Sequence, residues 1–141
     1  MSAKEVSALN VLIYRQKTKL PHALKELNSL AMKKSHWSWW AFPTQLPGKS
    51  EPQIVDRKLC GYIGKSYVTI NTAIQLIENS PEIWKLVLVK ICELLEKNKK
   101  MDGVLPKIDH DRVSYFVKFW SSIENKPDWF NDIILTLSKF T

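Results

Sequence analysis

Ser80-Pro81-Glu82-Ile83-Trp84-Lys85-Leu86-Val87-Leu88-Val89-Lys90-Ile91-Cys92-Glu93-Leu94-Leu95 is the stretch whose periodicity decides the fold class. Its apolar side chains recur every three or four residues, so Trp84, Leu88, Ile91 and Leu95 fall on one face of an α-helix. Ser80 is expected as N-cap, Pro81 as the first helical residue, where a missing N–H costs nothing, and Glu82 complements the helix dipole. Lys85 and Lys90 interrupt the apolar run far short of the roughly 20 residues a bilayer crossing needs. This is the pattern of a core helix, and no membrane span is expected.

The same period extends outward in both directions. Val6, Leu9 and Ile13 form one apolar face, and Leu20, Leu24, Leu27 and Ala31 the next. Ile70, Ala73, Ile74 and Ile77 follow, then Val113, Phe116, Val117 and Trp120, and finally Phe130, Ile133, Ile134 and Leu137. With the central stretch this makes six helices. Pro21 is read as the start of the second, Asp109 or Asp111 as the cap of the fifth, and Pro127 with Asp128 as the opening of the last. Between the second and third, residues 35–66 hold Pro43, Pro47, Pro52 and three of the four glycines, a long irregular loop. No strand alternation is sustained. The expectation is all-α: a compact bundle of about six helices forming a single domain over residues 1–141.

Composition agrees. A chain of 141 residues that is 45% hydrophobic, with six Trp, five Phe and four Tyr, fills one core and excludes disordered and collagenous classes. The first 13 residues carry Lys4 and Glu5 and show no small-residue cleavage site, so the protein is expected to be intracellular, cytoplasmic or nuclear, and not secreted. Cys60 and Cys92 fit no metal or redox spacing and read as reduced thiols. His22, His36 and His110 are too far apart in sequence to make a helical metal half-site, and neither a metal nor a cofactor is expected. Gly61-Tyr62-Ile63-Gly64-Lys65-Ser66 ends like a phosphate-binding loop, but two residues separate its glycines where four are required, and Leu59 stands in place of the first glycine. It reads as a turn. A Cys–His nucleophile pair could form only through folding, and either cysteine is equally compatible with core packing.

The densest chemistry lies in Ser35-His36-Trp37-Ser38-Trp39-Trp40-Ala41-Phe42-Pro43. Two readings compete for it. In one, Ser35, His36, Trp37 and Trp39 form a ligand-binding pocket that stacks a base or sugar and orients it with polar groups. In the other, the aromatics plug the core, the indole N–H groups find backbone carbonyls, and His36 caps the preceding helix. Residue chemistry alone favours the second.

Lys34-Ser35-His36-Trp37-x-Trp39-x-x-Phe42-Pro43, preceded by Ala23-Leu24-x-Glu26-Leu27, resembles the signature of a bacterial family of unknown function labelled, by misnomer, calpastatin-like. The resemblance spans residues 14–140: Tyr67 and Pro81 match its middle, and Asp109, Arg112 and Phe119-Trp120 match its last helix more loosely. It implies a compact all-α fold. Four positions depart from the family: Thr44 replaces a Gln, Ser80 a His, and Tyr115 with Phe116 a pair of serines. Polar positions have given way to aromatic bulk, which implies a scaffold serving a role other than catalysis and suits a copy encoded by a large DNA virus.

Charge sharpens this expectation. The net +7 is concentrated in two segments. Arg15, Lys17, Lys19, Lys25, Lys33 and Lys34 against Glu26 give +5, while Lys97, Lys99, Lys100 and Lys107 against Asp102 give +3. Lysines make up 18 of the 21 cations, and lysine is a point charge suited to backbone phosphate rather than a bidentate base reader. These ten cations are the candidate polyanion-binding residues. The expected function is a non-enzymatic interaction or structural protein, homo-oligomeric with a dimer favoured, touching nucleic acid non-specifically, for example as a virion component. The alternative is a small-molecule, nucleotide-like binding or hydrolytic domain centred on Ser35-His36-Trp37.

Overall fold

The first helix, α1, runs unbroken over Ala3–Leu30, where the sequence reading expected two helices separated at Pro21. Ser2 and Glu5 form a reciprocal capping box at its start, and Ala31 closes it in the left-handed conformation (φ 57°). Pro21 lies inside it, on an exposed side. Interior proline costs a helix about 3 kcal/mol, yet the flanking Leu20, Ala23 and Leu27 are wholly buried. Two fully buried leucines contribute about 3–6 kcal/mol together, which is enough to carry the helix through.

The computed structural model describes residues 1–45 and 68–141. After α1 come a short α2 (Ser38–Ala41), α3 (Ala73–Asn79), α4 (Glu82–Asn98), α5 (His110–Ser121) and α6 (Asp128–Ser138). Single 3-10 turns at Met101–Gly103 and Lys107–Asp109 join α4 to α5. Among the described residues there are thus six helices and no β-strand, an all-α fold, although the six are not the six read from periodicity. The Ser38–Ala41 turn was hidden in the presumed loop, and α3 begins three residues after Ile70, which is exposed. No helix among the described residues is long and apolar enough to cross a membrane. Much of the 35–66 loop, with Pro47, Pro52, Cys60 and the Gly61–Ser66 turn, lies outside the described residues, as do Arg57 and Tyr67.

α4 is the axis of the packing. Its expected face is buried in full, with Trp84, Leu88, Ile91 and Leu95 all at 0% exposure, and α1, α2 and α6 pack around it. Trp84 meets Phe130 of α6 at 5.5 Å between ring centroids, and Trp120 of α5 meets Phe130 at 4.7 Å. Phe42 reaches the same cluster through Phe116 at 5.4 Å. α4 and α6 run side by side in the same direction. Lys85 sits 5.1 Å over Trp129, Cys92 Sγ lies 3.9 Å from the Ile133 carbonyl, and Lys139 Nζ is 3.0 Å from Glu96.

Two expected caps are corrected. Ser80 does not cap α4; its hydroxyl bonds the Ile77 carbonyl at the end of α3, and Pro81 is the residue preceding the helix. Asp109 precedes α5 but makes no side-chain cap there, because its carboxylate is turned to Lys33. At the other end of α5, Lys126 Nζ donates to the carbonyls of Trp120 (2.7 Å) and Ile123 (2.5 Å), and burial lowers its pKa.

Candidate functional site

The Ser35–Pro43 segment is held from both sides. At its start stands Glu26, on the buried side of α1 between Ala23 and Leu27. Its carboxylate accepts from the Lys34 N–H (2.5 Å), the Ser35 N–H (2.9 Å), the Ser35 hydroxyl (2.5 Å) and the Trp37 indole N–H (3.1 Å). Burial alone would raise its pKa, but these hydrogen bonds, led by the Ser35 hydroxyl, outweigh it and hold the group at about 2. His22, one turn earlier, brings Nε2 to 3.2 Å from Ser35 Oγ and 3.5 Å from Glu26.

Farther along, five successive carbonyls each receive a side-chain donor from another part of the fold. Arg112 Nη2 reaches Trp39 O at 3.4 Å, Gln16 Nε2 reaches Trp40 O at 3.1 Å, and Trp84 Nε1 reaches Ala41 O at 3.0 Å. Arg112 Nε donates to Phe42 O and Trp120 Nε1 to Pro43 O, both at 2.9 Å. A segment too short to satisfy its own backbone is thereby completed by α1, α4 and α5. Gln16 and Arg112 are fully buried, and each sits beside core-facing apolar residues of its helix.

The four candidate ligand residues divide. Trp37 is 1% exposed and its indole N–H is taken by Glu26, while the Ser35 hydroxyl donates to the same carboxylate. A carboxylate with a pKa near 2 is a poor base, so the Ser35–Glu26 contact positions the loop without activating a nucleophile. His36 and Trp39 face outward, stacked at 6.1 Å with 19° between their planes, and Trp40 meets Trp39 edge-on at 5.3 Å. His36 does not cap α1, whose end is closed by Ala31. Thr44 is 2% exposed.

The candidate cations divide as well. Lys33 is buried, its ammonium 2.9 Å from Asp109 and 5.5 Å from the centre of the Trp37 ring, and this removes it from any solvent-facing patch. Its backbone N–H donates to Val104 O at 2.8 Å, tying the end of the first basic segment to the second. Arg15 and Lys19, one turn apart, share a flank of α1, but Lys17 lies about 200° round the axis from Arg15 and Lys25 about 80° beyond Lys17. With exposed Lys34 past the helix end, they do not converge.

The second segment does. Lys99, Lys100 and Lys107 line an open depression of about 590 Å³ together with Lys139, which arrives from the end of α6, and His110 at the start of α5. His110 Nε2 lies 3.0 Å from Leu105 O and 3.4 Å from Asp102. Lys97 is exposed on α4 but is not part of the lining. Lys99 takes the left-handed conformation (φ 66°) that ends α4, which turns the chain into this depression.

Glu26, Gln16, His110 and Lys139 were missed as site residues in the sequence. For Glu26 and Gln16 a signal existed: both are polar residues at core-facing positions of an apolar helical face. For His110 and Lys139 none did, because only the fold brings them beside Lys99 and Lys107. Among the described residues no three metal-ligating side chains cluster. Burial pushes the Cys92 thiol up to about 12. No family model, no curated protein and no solved structure matches the chain.

Proposed function

We propose that this protein is a non-enzymatic interaction module that contacts the phosphates of polyanions such as nucleic acid through Lys99, Lys100, Lys107 and Lys139. The observation that carries this reading is their convergence, from three separate parts of the chain, on one open depression. Ammonium groups act as point charges without a planar fork, so the contact is to backbone phosphate and independent of base sequence. The exposed Lys139–Glu96 pair contributes little stability and yields readily to a phosphate. Glu26, Ser35 and Trp37 have a structural task on this reading, so the Ser35 hydroxyl of the hydrolytic alternative is already engaged, while His36 faces solvent.

The test is affinity for an arbitrary duplex DNA as salt is varied. Four neutralised phosphates give a log–log slope near −3.6, or about a 150-fold loss of affinity between 50 and 200 mM salt. The double variant K100E/K107E is expected to flatten that slope and keep its fold. A flat wild-type plot, no binding at low salt, or unchanged binding by the variant would overturn the reading.

The outward His36–Trp39 stack supports a second reading, a platform for a planar ring such as a nucleobase. It expects quenching of indole fluorescence by adenosine monophosphate that is lost in W39A; no quenching, or quenching that survives W39A, removes it.

A further inference from the structure

The outer face of α4 and α6 carries a charge order that is complementary to itself. Between the two helices runs an open groove of about 500 Å³ lined by Val89, Trp129 and Ile133, with Leu86 one turn before Val89 and 44% exposed. The charged residues of α4 are Glu82, Lys85, Lys90, Glu93, Glu96 and Lys97 in that order. At 100° per residue all six fall within roughly 80° of the direction opposite the buried stripe. Their signs run minus, plus, plus, minus, minus, plus. Read backwards, every sign is inverted: Lys97 answers Glu82, Glu96 answers Lys85, and Glu93 answers Lys90.

We propose that this face binds a second copy of the chain, with α4 packed antiparallel on α4 of the other copy about a two-fold axis near Lys90 and Ile91. The three sign pairs have midpoints within about one residue of that point, so one register satisfies all of them, each twice by symmetry. α6 conforms, because Asp128 and Asp132 stand at its start and Lys139 just past its end. Opposed helix dipoles add to the fit. Leu86 and Val89 supply apolar contact near the axis. The face is about 25 Å long and two helices wide, which buries about 1,000 Å² in total, at the lower edge of specific interfaces. An interface of this size is weak and transient, so the association is concentration-dependent.

This inference does not rest on the polyanion reading, and its test uses the full chain without nucleic acid. Sedimentation from 10 to 500 µM should show the weight-average mass rising above the 16.4 kDa monomer. K90E makes the face uniformly acidic around the axis and E93K uniformly basic; each breaks two pairs and should weaken self-association about tenfold. Mixed in equal amounts, the two variants set acidic against basic side chains at every central contact and should associate at least as tightly as the wild type. Both substitutions are on the surface, and circular dichroism checks that the fold is kept. A wild type that stays monomeric, a dimer indifferent to both variants, or a mixture no tighter than either variant alone would each overturn the proposal.

Discussion

Glu26 shows how one carboxylate can fix the start of a segment, through the Lys34 and Ser35 N–H groups, the Ser35 hydroxyl and the Trp37 indole. Replacing it with Gln sets an amide that itself donates against an array of N–H and O–H donors, so E26Q should cost about 2–3 kcal/mol in urea denaturation at neutral pH. Its pKa is depressed in the folded state, so the stabilisation is complete above the unfolded value of 4.5 and is lost as pH falls toward about 2. Over that window the acid limb of wild-type stability should be steeper than that of E26Q. The Lys33–Asp109 pair adds a further buried charge interaction at this scale, with both side chains 5% exposed. K33M alone should cost about 3–5 kcal/mol by stranding Asp109, while K33M/D109L should recover most of it, and a double-mutant cycle measures the difference. Neither residue announced this role in sequence. Lys33 reads as one more cation in a basic run, and only contact with Asp109, 76 positions away, turns it inward.

Helices were legible where an apolar face is continuous, and less so where punctuation was asked to decide. The faces of α4, α5 and α6 follow from periodicity because each buries its stripe against the same aromatic cluster. Pro21 misled because its local penalty was weighed without the tertiary burial of Leu20 and Leu27 that outweighs it. P21A restores an i to i−4 hydrogen bond to the Lys17 carbonyl and removes a ring clash, so it should stabilise the protein by roughly 1–3 kcal/mol, seen as a raised thermal midpoint. A lower midpoint would mean that the proline's restriction of the unfolded chain outweighs its helical cost. The short α2 was illegible for a different reason. A single turn has no period to detect, and it is held by donors from α1, α4 and α5 rather than by its own propensity.

At the scale of the whole molecule, the chain closes on itself through long-range ties. The Thr69 hydroxyl donates to Glu5 at 2.5 Å and, with the Ser2 backbone N–H, draws that carboxyl down to about 2. Arg112 spans 70 positions to Phe42, and Trp120 spans 77 to Pro43. Such ties leave no part of the described core to unfold by itself, so urea transitions followed by tryptophan fluorescence and by far-ultraviolet circular dichroism should coincide; separated midpoints would show that α1 docks as an independent unit. The candidate site was half legible at this scale. The basic segments could be counted, but which of them converges depends on where α6 ends, and that is a property of the assembled fold. The seam between α4 and α6 also contains a stopwatch. Cys92 lies in it with its thiol pushed up to about 12 by burial, so at neutral pH only about one molecule in 100,000 presents a thiolate. Alkylation by iodoacetamide in a Cys60→Ser background then registers only the moments when the two helices part. The labelling rate should rise with urea only with the global transition; a rise well before it would show that the seam opens by itself.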